Sequence, residues 1–152
     1  GTIDFIGSDH SPFLLSEKQS GHEDIFIAPA GFPGIDLRLP LMLNAVAEGK
    51  LKLSRAIELI SENPAKIFGL YPRKGVIQVG SDADFVIVDL NEKFIVSKKN
   101  NYSKAKDISL VYEGWELKGL PIYTIVRGRI VMNNGIVDED AEGWGELIKP
   151  IL

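Results

Sequence analysis

The hydrophobic pattern of this chain changes near Gly75, and the change limits the folds that the chain can adopt. Before Gly75, apolar residues recur at helical spacing; after it, short apolar runs alternate with Gly, Asn and Asp. Helical spacing predicts packed helices, and short runs divided by turn residues predict a sheet of short strands. We therefore expect an α/β chain in which the helices come first and most of the strands come second.

One strand and three helices are predicted before Gly75. The apolar residues 3–6 are typical of a buried strand, and residues 39–48 of a helix. A second helix is expected to begin at Ser54, which is a good N-cap. Asn63 is expected to cap a third helix that stops at Gly69.

Six short strands are predicted after Gly75, and the clearest local signal is a turn. They cover residues 76–79, 85–89, 94–96, 122–127, 130–132 and 136–137. The sequence Asn-Asn-Gly at 133–135 predicts a hairpin between the last two. Residues 97–106 are rich in Lys, Asn and Ser and predict an exposed loop.

The composition excludes several classes of partner. Lys and Arg number 17 against 21 Asp and Glu, a net charge of −4 that argues against nucleic acid. Cysteine is absent, so disulfides and thiolate metal sites are excluded. No apolar run approaches the roughly 18 residues of a membrane span. We expect a cytoplasmic chain of 152 residues that binds neither nucleic acid nor membrane.

Asp9 and His10 stand where the first apolar strand is predicted to end. Parallel α/β folds place their chemistry at the carboxyl ends of strands. An Asp-His pair before Ser-Pro is also a common turn or helix-cap device. By itself the motif leaves both interpretations open.

A series of further motifs follows in a fixed order. It consists of Asp-His-Ser-Pro-Phe at 9–13, Glu-Lys at 17–18, Ala-Pro-Ala-Gly-Phe-Pro-Gly at 28–34, Ile-Asp-Leu-Arg-Leu-Pro-Leu-Met-Leu at 35–43, Asn-Pro-Ala-Lys-Ile-Phe-Gly at 63–69, Lys-Gly at 74–75 and Gly-Ser-Asp-Ala-Asp-Phe-Val-Ile-Val-Asp at 80–89. In order and spacing, this series resembles the last third of the cyclic amidohydrolases, which include dihydroorotase, allantoinase and hydantoinase (dihydropyrimidinase). The resemblance extends from about residue 3 to residue 137.

The resemblance implies a division of the chain into two incomplete units and a tail. Residues 1–70 resemble the last strand and closing helices of a (β/α)8 barrel. Residues 71–140 resemble the C-terminal strands of a small β-sandwich, and residues 141–152 form a tail. We therefore expect a fragment or one piece of a split assembly, with the N-terminal part of the same enzyme as a partner and a homo-oligomer as the assembly.

The chemistry of the reaction indicates what the site must supply. Opening a cyclic amide with water requires a hydroxide nucleophile and a Lewis acid, which a metal pair can supply. A carboxylate near the water can move the proton to the departing nitrogen. The resemblance implies that Asp9 ligates one metal ion, zinc in a binuclear centre, and moves this proton. The family's other ligands lie upstream of anything in this chain, so we expect the chain alone to hold no zinc and to be inactive.

The resemblance also implies residues that contact the substrate. It places main-chain contacts around Ala30 and Gly31, where a glycine lets a flat ring approach the backbone. Phe13 departs from typical dihydroorotases, which have a histidine there that helps to hold the substrate carboxylate; hydantoinases often have the Phe. Lys18 would either compensate for the missing histidine or be an exposed lysine in a mobile loop.

Other polar and aromatic residues are interpreted as structural. His10 matches the residue beside the metal ligand, and His22 is interpreted as an ordinary surface residue. A group of acidic residues is expected to cap backbone groups at a turn, and two tryptophans are expected to pack. These residues are Asp82, Asp84 and Asp89, and Trp115 and Trp144.

Three classes of function follow from these observations. The first is part of a metal-dependent cyclic amidohydrolase acting on a small cyclic amide. Dihydroorotase, an enzyme of pyrimidine biosynthesis, is the first choice, with allantoinase or hydantoinase as the alternatives. The second is a non-catalytic scaffold like the dihydropyrimidinase-related proteins, and the third is a small independent binding domain.

Overall fold

The computed structural model describes residues 1–150 and places helices before a sheet, as the periodicity predicts. The helices are α1 (Leu15–Lys18), α2 (Arg38–Ala47), α3 (Leu53–Ile57) and α4 (Asn63–Ile67). The strands are β1 (Phe85–Ile95), β2 (Glu116–Val126), β3 (Arg129–Asn133) and β4 (Ile136–Val137). All neighbouring strands are antiparallel, in the order β1-β2-β3-β4.

Helix α2 confirms the prediction for residues 39–48 to within one residue at each end. The backbone N–H of Glu48 donates to Asn44 O at 2.9 Å, and that of Gly49 donates to Val46 O at 2.9 Å. These bonds satisfy the last carbonyls of the helix, as a glycine just past a helix end predicts.

The predicted N-caps of the second and third helices are wrong. Helix α3 begins one residue before Ser54, after the extended residue Lys52. A π-helical turn, Glu58–Glu62, then connects α3 to α4 without a break. Asn63 therefore lies inside a continuous helix, and its side-chain amide donates to Asp4 O at 2.8 Å instead of capping.

Residues 3–6 are not a strand in this chain, contrary to the prediction. They pair with no other strand, and helix α3 and the π-helical turn after it hold them instead. Ile6 N donates to Leu59 O at 3.1 Å, and Arg55 Nη2 donates to Ile3 O at 2.6 Å. A strand requires a second backbone beside it, and no described segment runs alongside this one.

The sheet differs from the predicted strands in three places. Residues 76–79 form bends and a turn instead of a strand. The predicted strands 85–89 and 94–96 belong to one long strand, β1, which is irregular between Asp89 and Lys93. Strand β2 begins at Glu116, six residues before the predicted strand 122–127. The hairpin at 133–135 is confirmed, with φ of 48° at Asn134 and 78° at Gly135. Positive φ at both central residues is typical of a two-residue type I′ turn.

Helix α2 and the sheet share one apolar core. Leu37, Val96 and Leu117 are buried together, and Leu41 and Phe94 pack against them. Within the same interface, Lys118 N donates to the side-chain oxygen of Asn44 at 2.9 Å. The start of α2 is therefore fixed, and with it the end of the loop that leads into α2 from residue 28.

Among residues 1–150, none of the helices has the length and apolar character needed to cross a membrane.

Candidate active site

Asp9 combines an unusual backbone with an uncommitted side chain. Its φ is 44°, in the left-handed region that residues other than glycine rarely adopt. Among residues 1–150, its exposed carboxylate accepts no hydrogen bond and forms no ion pair. Such backbone outliers cluster at active sites, where the surrounding structure holds them. The carboxylate is thus available as a base or as a ligand.

His10 connects the Asp9 loop to the loop of residues 28–34. Its Nδ1 accepts the backbone N–H of Gly34 at 3.2 Å and that of Ile35 at 3.3 Å. An Nδ1 that accepts two N–H groups carries no proton and has no lone pair left for a metal. His10 therefore acts in this structure as an anchor between loops, a role that its place beside Asp9 did not predict.

Gly31 is the point where the two loops touch. Its φ is 105°, and a Cβ there would lie 2.5 Å from Ser11 Cβ and 2.8 Å from Ser11 Oγ. Ser11 N also donates to Phe32 O at 3.2 Å. A side chain at position 31 would force the loops apart, so the close approach requires glycine.

Lys18 makes contacts that were not expected from the sequence. Its half-buried Nζ donates to Pro29 O and, at 2.6 Å, to Gly31 O. The same ammonium lies 5.2 Å from the centroid of the Phe13 ring. Lys18 is thus not an exposed lysine, and its ammonium is already bonded to two backbone carbonyls.

The residues predicted for the site therefore lie in one cluster. Asp9 and Phe13 share a loop, and Ser11 of that loop packs against Gly31, which follows Ala30. His22 is exposed at the end of the 3₁₀ turn Gln19–His22, as expected of a surface residue. The contacts of Ser11 and Lys18 could not be predicted from the sequence, because no local pattern shows which backbone groups of a distant segment a residue reaches.

The described residues do not form a metal site by themselves. Residues 1–150 contain no group of three or more His, Asp or Glu side chains placed to hold a metal ion. Zinc sites usually have three or four protein ligands. Asp9 can supply one ligand, and the partners of His10 Nδ1 exclude that atom as a second.

Asp82 and Asp84 form an ion-pair network with basic residues. Asp82 accepts Arg73 Nε at 2.9 Å and lies 2.9 Å from Lys74 Nζ, which also donates to Asp84. The second oxygen of Asp84 accepts the backbone N–H of Arg127 at 2.8 Å. The predicted capping of a backbone group is present at Asp84. The prediction is wrong for Asp82, whose carboxylate bonds to two basic side chains instead of the backbone.

Within the network, the pKa of Asp82 is lowered and that of Lys74 is raised. The hydrogen bond from Lys74 lowers the pKa of Asp82 below its usual 3.8, against a smaller effect of burial. Burial alone would lower the pKa of Lys74, but its hydrogen bonds to Asp84 and Asp82 outweigh burial and raise the pKa above 10.5. Both shifts stabilise the charged forms, as expected of a structural ion-pair network.

The other residues interpreted as structural are also committed to local contacts. Asp89 Oδ1 accepts Asn91 N at 2.8 Å. Trp115 packs edge-to-face on Tyr112, with ring centroids 5.1 Å apart. Trp144 lies against two arginines at the β2–β3 turn and donates its indole N–H to a β2 carbonyl.

Comparisons with known proteins agree on the kind of protein that this chain is similar to. A family model described as "Amidohydrolase family" matches residues 1–131. The chain is 38% identical to an L-hydantoinase of Paenarthrobacter aurescens, covering 97% of this chain and 32% of that protein. It is 42% identical to a dihydroorotase of Methanothermobacter thermautotrophicus, covering 96% of this chain and 32% of that protein.

A solved structure of a D-hydantoinase (dihydropyrimidinase) from Thermus sp. superposes with a TM-score of 0.89 at 36% identity. The alignment covers 97% of this chain and 32% of that one. The chain thus spans about a third of the length of the proteins that it matches.

Proposed function

This chain belongs to the amidohydrolase family, and on that premise we propose that it is part of an enzyme that hydrolyses the C–N bond of a cyclic amide. The observation that carries the proposal is Asp9, whose uncommitted carboxylate is held on a left-handed residue. The loop that carries it packs directly on Gly31 through Ser11. A free carboxylate held against a loop whose backbone can pair with the amide edge of a ring suits a cyclic amide.

We propose that the rest of the catalytic domain comes from outside residues 1–150. Residues 1–70 would form the end of a (β/α)8 barrel, residues 71–140 part of a small β-sandwich, and residues 141–152 its tail. The ladderless residues 3–6 support this proposal, because a barrel would supply them with neighbouring strands. The exposed Ile77 and Val79 support it as well, since a further strand or helix would cover them.

In this proposal Asp9 moves the proton of the reaction. A bound pair of metal ions, which we propose to be zinc, would activate the attacking water and polarise the ring carbonyl. Asp9 would ligate one of these ions and take a proton as the water oxygen bonds to the carbonyl carbon. It would then give that proton to the ring nitrogen as the C–N bond breaks. The remaining ligands would come from the rest of the enzyme.

We propose that the main chain at Ala30 and Gly31 holds the ring. Among residues 1–150, the backbone N–H of Ala30 has no hydrogen-bond acceptor. The amide edge of a cyclic substrate offers a carbonyl to such a donor. Gly31 lets Ser11 pack against this stretch of backbone and hold it in place.

Phe13 supports a neutral ring as the substrate. A phenyl ring cannot donate a hydrogen bond to a substrate carboxylate, and the ammonium that lies against it is already bonded to two carbonyls. A hydantoin-like ring requires no carboxylate contact. Dihydroorotate is the second candidate, favoured by the 42% identity to a dihydroorotase.

The decisive experiment uses the complete protein that contains this chain. We propose that this protein is a cytoplasmic homo-oligomer. It is purified, its bound metal is measured, and its turnover of hydantoin, dihydroorotate and allantoin is compared. We expect ring opening of at least one substrate, loss of turnover after chelation and recovery on adding zinc. A protein that opens none of the rings with its metal bound would instead support a scaffold or a binding domain.

A further inference from the structure

We propose that Lys18 is a positioning residue, whose ammonium sets the direction of the backbone N–H groups that bind the ring. This inference rests on the proposed function and extends it to a residue that does not itself touch the substrate. It follows from the position of the ammonium, from the geometry of the peptide groups that it holds and from the partners of its charge.

The ammonium of Lys18 is carried by a short segment, α1 and the turn after it, which is fixed at both ends. Glu17 Oε2 accepts Leu14 N at 2.6 Å, which caps the start of α1. After α1, Ser20 Oγ donates to Glu17 O at 3.0 Å, and Gly21 packs so closely on Ala28 that a Cβ would lie 2.6 Å from Ala28 Cβ. Lys18 is therefore held opposite the loop that it bonds.

The bonds from Lys18 fall on both sides of Ala30. Nζ donates to the carbonyl of Pro29, the residue before, and to that of Gly31, the residue after. Hydrogen bonds from a charged donor are about twice as strong as those between neutral groups. The conformation of the loop at Ala30 is thus fixed from two points.

Peptide planarity turns these two bonds into control of two donors. In a trans peptide the C=O and the following N–H lie in one plane and point in opposite directions. The cis bond in residues 1–150 is Tyr71–Pro72, so the peptide groups Pro29–Ala30 and Gly31–Phe32 are trans. With the Pro29 and Gly31 oxygens on the ammonium, the N–H groups of Ala30 and Phe32 are directed away from it.

Both of these N–H groups are available for a ligand. Neither the N–H of Ala30 nor that of Phe32 donates to any acceptor within residues 1–150. The next carbonyl along the chain, Phe32 O, accepts Ser11 N at 3.2 Å. This bond joins this part of the loop to the segment that carries Asp9. The clamp, which consists of the two hydrogen bonds from Lys18 to Pro29 O and Gly31 O, therefore orients the donors relative to the catalytic carboxylate of Asp9.

The charge of Lys18 is committed to this clamp. Within residues 1–150 the ammonium has no carboxylate partner, and its contacts are two carbonyls and the face of the Phe13 ring. An aromatic face attracts a cation without competing for its N–H groups. Lys18 accordingly serves neutral and anionic rings alike, whereas a lysine that bound a substrate carboxylate would serve only the anionic ring.

The test compares Lys18→Met, Lys18→Arg and the control Lys104→Met in the complete enzyme. Lys104 is exposed and makes no ion pair or side-chain hydrogen bond among residues 1–150. We expect Lys18→Met to lower kcat/KM by about 10- to 100-fold, mainly through KM, because misplaced binding groups cost about that much. The factor should be the same for hydantoin and dihydroorotate; Lys18→Arg should recover part of it, and Lys104→Met should change nothing.

Two kinetic results would overturn the proposal. A loss confined to dihydroorotate would make Lys18 a ligand of the substrate carboxylate. Unchanged kinetics with every ring would show that the clamp does not position the donors.

Amide hydrogen exchange of the same variants separates this proposal from the proposed function. In Lys18→Met, exchange at the Ser11 amide should accelerate at least about tenfold, because the acceptor at Phe32 loses its support. The amide of Leu41, which donates to Leu37 O at 2.9 Å in α2, is the internal control. Unchanged exchange at Ser11 would overturn the clamp even in an active enzyme. Faster exchange in an enzyme that opens no ring would leave the clamp standing and remove the proposed function.

Discussion

At the scale of single residues, Asp9 has the properties that the proposed chemistry demands. A base must keep its carboxylate available, and within residues 1–150 no side chain or N–H group occupies that of Asp9. Its left-handed φ of 44° carries a conformational cost that the packing of Ser11 on Gly31 helps to offset. His10, by contrast, joins the two loops, so the adjacent pair divides into a residue with a free carboxylate and an anchor.

The substitution Asp9→Asn should nearly abolish turnover while the fold remains. Asparagine has the same shape and tolerates a left-handed backbone, but it cannot accept the proton. We expect kcat to fall by at least about 10²- to 10⁴-fold, with a smaller change in KM. The control is Asp140→Asn, at an exposed turn. A kcat within a factor of about two of the wild type would exclude the role of Asp9.

Phe13→His should shift the substrate preference towards an anionic ring. An unpaired substrate carboxylate in a closed site costs on the order of 1–3 kcal/mol or more, and an imidazole can donate to it where a phenyl cannot. We expect the ratio of kcat/KM for dihydroorotate over hydantoin to rise. Efficient native turnover of dihydroorotate, unchanged by the substitution, would mean that a cation outside this chain holds the carboxylate.

At the scale of elements, the sequence predicts those features whose causes are local. Helix α2 and the turn at Asn134 follow from residues that act on their own backbone, and both are confirmed. The strand at 3–6 depends on a partner that no described residue supplies, and that prediction is wrong. Asn63 is a good cap in isolation, but the π-helical turn before it runs directly into α4, and its amide donates to the distant Asp4 O instead.

The connector between the helices and the sheet is fixed by the ion-pair network around Lys74. This network joins Asp82 and Asp84 to the segment that follows α4, and Asp84 also holds the β2–β3 turn through Arg127 N. A turn position predicts that these aspartates bond to the backbone, which is correct for Asp84 and wrong for Asp82. The ion pairs could not be predicted, because their partners lie 8 to 10 positions away along a connector without regular structure.

Asp82→Asn should lower the thermal stability of the protein in a pH-dependent way. Because the folded pKa of Asp82 lies below 3.8, its contribution is complete above that value and is lost as the pH falls through the folded pKa. The difference in melting temperature between wild type and variant should therefore be constant from about pH 5 to neutral and shrink below about pH 3.8. Asp140→Asn, outside the network, should show no such trend. A difference that grew on acidification would contradict the assignment.

At the scale of the whole molecule, the residue types of the site were predictable and their arrangement was not. The motif order identified Asp9 and Gly31 as candidates, because such motifs carry residue identity. The clamp of Lys18 depends on a fold that returns residue 29 to residue 18, which no local pattern encodes. Exposed large apolar side chains, by contrast, are expected of the two incomplete units that the resemblance implies; Phe26 at 95% and Ile77 at 82% are examples. In the proposed enzyme such side chains would meet the rest of the protein.

The 152-residue chain by itself should bind zinc weakly and hydrolyse none of the three rings. Its described residues bring no three His, Asp or Glu side chains together, and His10 Nδ1 is already an acceptor for two backbone N–H groups. A single carboxylate is far from the three or four ligands of a typical zinc site. Titration calorimetry of the purified chain should detect no stoichiometric, tight uptake, whereas the complete enzyme should retain metal through gel filtration. If the isolated chain took up zinc tightly in an Asp9-dependent way, it would contain a metal site that its present arrangement does not form. The proposal that the other ligands come from the rest of the enzyme would then have to be abandoned.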